Sequence, residues 1–158
     1  MNKQEILTLI IERLRADLLV AEQAVAIARD TATHKDALGS SQYETMGLEA
    51  SYLAHGQGQR LLEIERALGY FSRLKLPAPN ESVSLGSLVE LHDENCVAQY
   101  LWLAAEAGGL KVEYAGENIT VVTPKSPLGR ALIGREAGEV VEVSIGGKER
   151  SYSIGKVE

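Results

Sequence analysis

Side chains able to do chemistry are sparse in this chain of 158 residues. The first group is a set of carboxylates in the middle of the N-terminal half, Asp30, Asp36 and Glu44, with His34 and Lys35 directly before Asp36. Read residue by residue, Asp30 is a solvated helix acid and Asp36 a turn acid, while Glu44 lies three residues after Ser41, the spacing of a capping box. Lys35 competes with any cation for the Asp36 carboxylate. The second group is Ser126-Pro127-Leu128-Gly129-Arg130, in which Arg130 is the one charge, open to solvent or to a docking partner. Other chemistries are excluded. Cys96 stands alone, so there is no internal disulfide and no zinc site built from several cysteines, and it reads as a small buried apolar residue. His34, His55 and His92 lack the spacing of metal ligands, and no glycine-rich phosphate loop ends in Lys-Ser/Thr.

The elements that must carry these residues are set by hydrophobic periodicity. Leu7, Ile11, Leu14, Leu18, Ala21, Val25 and Ala28 advance by alternate fours and threes, and so do Gly47, Ala50, Ala54, Gln57, Leu61, Ile64 and Leu68. Both runs are heptad seams. Folded back antiparallel, they set Leu7 against Leu68, Ile11 against Ile64 and Ala28 against Gly47, with the reversal near Asp36 to Gly39. More than three heptads per arm give helices on the order of 45 Å long. The seam is bulky at its base and small toward its tip, so the distal half is slender. The expected helices run from just after Met1 to about Thr33, and from Ser40 or Ser41 to Leu74. Pro77 and Pro79 then stop the helical pattern.

Beyond the prolines the period shifts toward two. Strands are expected over 82–92, 97–104, 119–123 and 140–145, and Gly146-Gly147 is the two-residue turn of a hairpin completed by 151–157. Ser126 as N-cap, Pro127 at the first position and Gly134 at the C-terminal cap mark a helix of about two turns. The expected fold class is α+β: an antiparallel α-helical coiled-coil hairpin over 1–76 with its tip near 34–41, a Pro-rich linker at 77–81, and a small antiparallel β domain with one short helix over 82–158. The net charge is −6, with nine Lys/Arg against ten Asp/Glu in residues 1–75 and seven against twelve in the rest. Neither half can neutralise a row of phosphates, so any contact with nucleic acid runs through a partner. No segment reads as a signal peptide or a membrane span, and a cytoplasmic location is expected.

The stretch Thr123-Pro124-Lys125-Ser126-Pro127-Leu128-Gly129-Arg130-Ala131-Leu132-Ile133-Gly134, the strand Gly138-Glu139-Val140-Val141-Glu142-Val143 and the Gly-Gly hairpin ending in Tyr152-Ser153-Ile154 follow a long helical hairpin and a Pro-rich joint. Together they resemble the GreA/GreB family of bacterial transcription elongation factors, whose C-terminal domain is FKBP-like. The resemblance implies a non-enzymatic accessory factor whose partner is RNA polymerase. The C-terminal domain would dock at the rim of the secondary channel through Ser126, Pro127, Leu128 and Arg130, and the hairpin would enter the channel as a monomer. In the family, two tip carboxylates help hold a magnesium ion that the polymerase shares, for hydrolysis of backtracked RNA. A second ion of that kind needs hard oxygen ligands, and an isolated carboxylate holds magnesium poorly. The family's tip is an Asp with a Glu three residues on; aligned on Tyr43, the Asp falls on Asp36 and the Glu on Gly39 or Ser40. Asp30 and Glu44 are the nearest substitutes. The resemblance therefore implies a polymerase modulator with or without stimulated cleavage, and no cofactor of its own. The competing readings are an FKBP-like peptidyl-prolyl isomerase, for which Trp102, Tyr100, Tyr114 and Tyr152 offer aromatics but no Phe, and a coiled-coil interaction module.

Overall fold

The computed structural model describes the backbone of residues 1–36 and 41–158, and the side chains of residues 1–31 and 55–158. The N-terminal half forms a hairpin of two helices, α1 (Lys3–Asp36) and α2 (Ser41–Arg73). Asn2 starts α1: its side-chain oxygen accepts from the N–H groups of Gln4 (3.1 Å) and Glu5 (3.3 Å), and its amide donates to the Glu5 carboxylate (2.8 Å). The first two bonds are an N-cap, and the third ties the capping side chain to Glu5. The chain falls into two compact units that divide inside the helices: residues 12–69 form one, while Met1–Ile11 join Tyr70–Glu158 in the other.

In the helical unit Leu14, Ala21, Val25, Ala28 and Ile64 are buried as the heptad pattern requires, whereas Leu18, Gln57 and Leu61 are half-buried. Near the helix ends the buried stripe widens, with Leu7 of the seam still buried. Ile6, Ile10 and Phe71 are fully enclosed, while Ile11 and Leu68 are only half-buried. The heptad seam predicts burial on one stripe, and here the helix ends bury a second.

The β unit is a six-stranded sheet in the order β3-β4-β2-β1-β6-β5, made of β1 (Leu88–His92), β2 (Ala98–Leu103), β3 (Lys111–Tyr114), β4 (Glu117–Val122), β5 (Val140–Ile145) and β6 (Lys148–Val157), with α3 (Pro127–Leu132) between β4 and β5. The expected antiparallel sheet is mixed. Four pairings are antiparallel, but β2 and β4 run parallel. The cause is β3, which reverses direction after β2 and returns through a turn at Ala115-Gly116 (φ +54° and +83°), so that β4 inserts between β2 and β3. The first strand also begins later than its alternation suggests. Gly86 (φ +91°) holds a turn beneath Pro77, whose ring lies where a Cβ would stand, and the ladder starts at Leu88.

Both faces of the sheet are covered. Val89, Leu91, Leu101, Leu103, Val141, Val143, Tyr152 and Ile154 share one core with Leu132 of α3. Residues of the opposite parity, including Leu88, Trp102, Ile119 and Val121, are also buried. On that side the Lys3 ammonium lies 5.7 Å from the Trp102 ring centroid and the Tyr114 hydroxyl donates to Glu5 (2.8 Å). The first turn of α1 is thereby seated on the sheet.

Candidate functional site

The 123–134 segment is organised around one carbonyl. Thr123 C=O accepts from the Ser126 N–H (3.0 Å) and from the Ser126 hydroxyl (2.8 Å), and the Ser126 Oγ in turn accepts from the Gly129 N–H (3.1 Å). This closes the N-terminus of α3, whose first orphan donors would otherwise lack partners. Pro127 occupies the first turn, where its missing N–H costs nothing. A Cβ on Gly129 would stand 2.0 Å from the Thr123 oxygen, so only glycine lets the helix come this close to the strand end. The exit is fixed as well: Ile133 caps, and Gly134 (φ +79°) donates its N–H to Val83 C=O at 2.8 Å.

This geometry separates the four residues proposed to dock. Ser126 is occupied by the cap and Leu128 packs against the core. Pro127 and Arg130 are exposed, with Lys125 exposed beside them. Among the described residues the Arg130 guanidinium makes a single long contact, to Lys125 C=O (3.5 Å), which leaves its charge available to a partner. Ser126 and Leu128 therefore hold the platform, and Pro127, Arg130 and Lys125 are what it presents. Ile133, 39% exposed, adds an apolar neighbour that the sequence reading did not single out.

Of the tip acids, Asp30 is exposed on α1 and Asp36 is the last residue of that helix. The side chains of Asp36 and Glu44, with those of His34, Lys35 and Tyr43, lie outside the described residues. Among the described residues no group of three or more His, Cys, Asp or Glu could hold a metal ion. Cys96 is exposed, against the expectation of burial. It sits at φ +60° in the β1–β2 turn, where the Asp93 carboxylate accepts from the N–H groups of Asn95 and Val97, both at 2.9 Å. His55 is exposed, and His92 lies against Glu90 (3.1 Å) in the space that Gly155 leaves free.

The seat of α1 is electrostatically tuned and was not visible in the sequence, since it joins residues more than a hundred positions apart. Burial pushes the Lys3 ammonium below its ordinary pKa, opposed by the Glu158 carboxylate, and Lys3 Nζ also donates to Glu158 C=O (3.0 Å). The bond to Glu5 raises the Tyr114 hydroxyl, with burial adding in the same direction. Hydrogen bonding from Lys156 holds the Glu158 carboxyl below its usual range.

A heptad helical hairpin joined to a small mixed sheet, with a glycine-tight capped helix on one face, defines a two-part class of protein. Residues 78–158 match the family described as transcription elongation factor, GreA/GreB, C-term. The chain is 31% identical over 127 residues to the transcription elongation factor GreA of Bradyrhizobium sp. (strain BTAi1), covering 80% of this chain and 75% of that one. It is 29% identical over 136 residues to GreA of Ruegeria pomeroyi, covering 86% and 80%. Among solved structures, the GreA factor homolog 1 (Gfh1) protein of Thermus thermophilus is 23% identical, with 95% of each chain covered and a TM-score of 0.39. The chain belongs to the GreA/GreB family of transcription elongation factors. Among the described residues no helix is long and apolar enough to cross a membrane.

Proposed function

We propose that this chain binds RNA polymerase at the secondary channel, with the hairpin inserted and the α3 segment docked at the rim, and that it modulates elongation without efficient stimulation of transcript cleavage. Family membership supports the partner. The observation that carries the second half is in the sequence: Asp36 is followed at the third position by Gly39, where a second hard oxygen ligand is needed. A lone carboxylate with Lys35 beside it is a poor magnesium site. The working form is a monomer, and it brings no cofactor beyond a magnesium ion shared with the polymerase.

The isomerase reading is disfavoured by the placement of its aromatics. Trp102 and Tyr152 are buried in the sheet and the Tyr114 hydroxyl is engaged by Glu5, so they do not line an open apolar pocket. The test is binding of the full chain to core RNA polymerase, competed by a known secondary-channel protein, followed by addition of stalled, backtracked complexes. Binding without RNA shortening is expected. Shortening that Asp36→Ala abolishes would overturn the claim about cleavage, and no binding at low salt would overturn the partner.

A further inference from the structure

One end of the sheet carries a small polar cavity on the face that α3 covers. Arg150 and Tyr152 lie two residues apart on β6 and so share a face with Ile154, which packs in one core with Leu132 of α3. With Asp93, Glu94 and Gln99 they line a cavity of about 270 Å³. Tyr152 is 5% exposed and its ring belongs to that core, yet its hydroxyl makes no hydrogen bond among the described residues. Nor is the oxygen sealed in: among those residues the fully enclosed side-chain atom without a partner is Trp102 Nε1, so the Tyr152 hydroxyl opens at the cavity its side chain lines. A tyrosine buried to this depth ordinarily has a partner for its O–H.

The other lining groups divide by whether the fold already uses them. The Asp93 carboxylate is taken by the N–H groups of Asn95 and Val97, and the Glu94 carboxylate accepts from the Ser151 N–H at 3.4 Å. The Arg150 guanidinium and the Gln99 amide have no partner among the described residues, and neither carboxylate forms an ion pair with Arg150. What the fold leaves unused is a fork of N–H donors, a phenol O–H and an amide, a set that suits a carboxylate. The two carboxylates at the border repel a group with more than one negative charge, so a carboxylate fits better than a phosphate.

We propose that this cavity receives an Asp or Glu side chain of RNA polymerase when the α3 platform docks, which rests on the polymerase reading and extends it. The cavity and α3 lie on one face of the sheet and Tyr152 joins them, with its ring in the core beneath α3 and its hydroxyl in the cavity, so one partner surface can meet both. Arg150 takes the two oxygens of the incoming carboxylate as a fork, and the Tyr152 O–H donates to one of them. A Lys or Arg of the partner is the poorer occupant. It would need Asp93 and Glu94, which main-chain N–H groups already hold, and Arg150 would repel it.

Competition binding of the full chain and its variants to core RNA polymerase is the test, with Arg130→Glu reporting on the platform alone. Tyr152→Phe removes an oxygen that the fold leaves unpaired, so its melting temperature should match that of the natural chain while its affinity falls about tenfold. Arg150→Glu should weaken binding by more than about tenfold, and Arg150→Lys by less, because an ammonium keeps the charge and loses the fork. Arg150 is exposed, so its variants fold and decide the matter even if Tyr152→Phe melts early. Tighter binding by Arg150→Glu would mean that a cation fills the cavity and would overturn the proposal. Loss of affinity in Arg130→Glu with none in Tyr152→Phe or Arg150→Glu would overturn it while leaving polymerase docking intact, and a natural chain that does not bind would overturn both.

Discussion

At Gly129 the constraint is steric and absolute, because the Thr123 carbonyl occupies the place of a side chain. Gly129→Ala is expected to lower stability by about 2–3 kcal/mol in chemical denaturation, as forced overpacking does. Ser126→Ala, which removes only the cap, should cost about 1 kcal/mol. Arg130→Glu lies on the exposed side and should leave stability unchanged while weakening polymerase binding, measured by competition. The Tyr114–Glu5 bond has a pH signature. The Tyr114 pKa is raised in the fold, so its contribution is present below the ordinary tyrosine range and is lost as pH rises through the raised value. The melting advantage of the natural chain over Tyr114→Phe should therefore hold at neutral pH and vanish in strong alkali. Glu158 has the opposite sign: its pKa is lowered, and what it contributes disappears as pH falls through that lowered value. The cap at Ser126 and the glycine at 134 were legible in the sequence because they follow local backbone rules. That Ser126 and Leu128 face inward while Pro127 and Arg130 face outward was not, since this depends on where the strand carbonyl and the core lie.

At the scale of elements, the helices could be read because a heptad repeated three times and more leaves few alternatives. Even so, the ends depart from it. Ile6, Ile10 and Phe71 are buried as an extra stripe where the helices join the β unit, a demand that no single helix announces. Ile64, 4% exposed, lies on the seam proper, and Ile64→Ala should cost about 2–5 kcal/mol, read from helical circular dichroism during denaturation. β3 escaped the sequence reading because four residues are too few for alternation to stand out, and its absence hid the parallel β2–β4 pair. The register of β5 with β6 needed only the Gly-Gly turn.

For the whole molecule, charge and connectivity matter more than any one contact. The second half carries seven Lys/Arg against twelve Asp/Glu, so the isolated protein should not shift DNA or RNA in a gel at physiological salt. Connectivity has a temporal effect. β1 lies between β2 and β6, and β5 pairs with β6 as well, so two strands of the sheet wait for one made long after the first of them. During synthesis the helical hairpin, built from local contacts, can form on the ribosome well before residues 148–157 emerge, whereas the sheet cannot close. Until then the β1 edge that β6 pairs with has no strand beside it, and an unpaired edge of this kind is where a nascent chain is open to aggregation or chaperone capture.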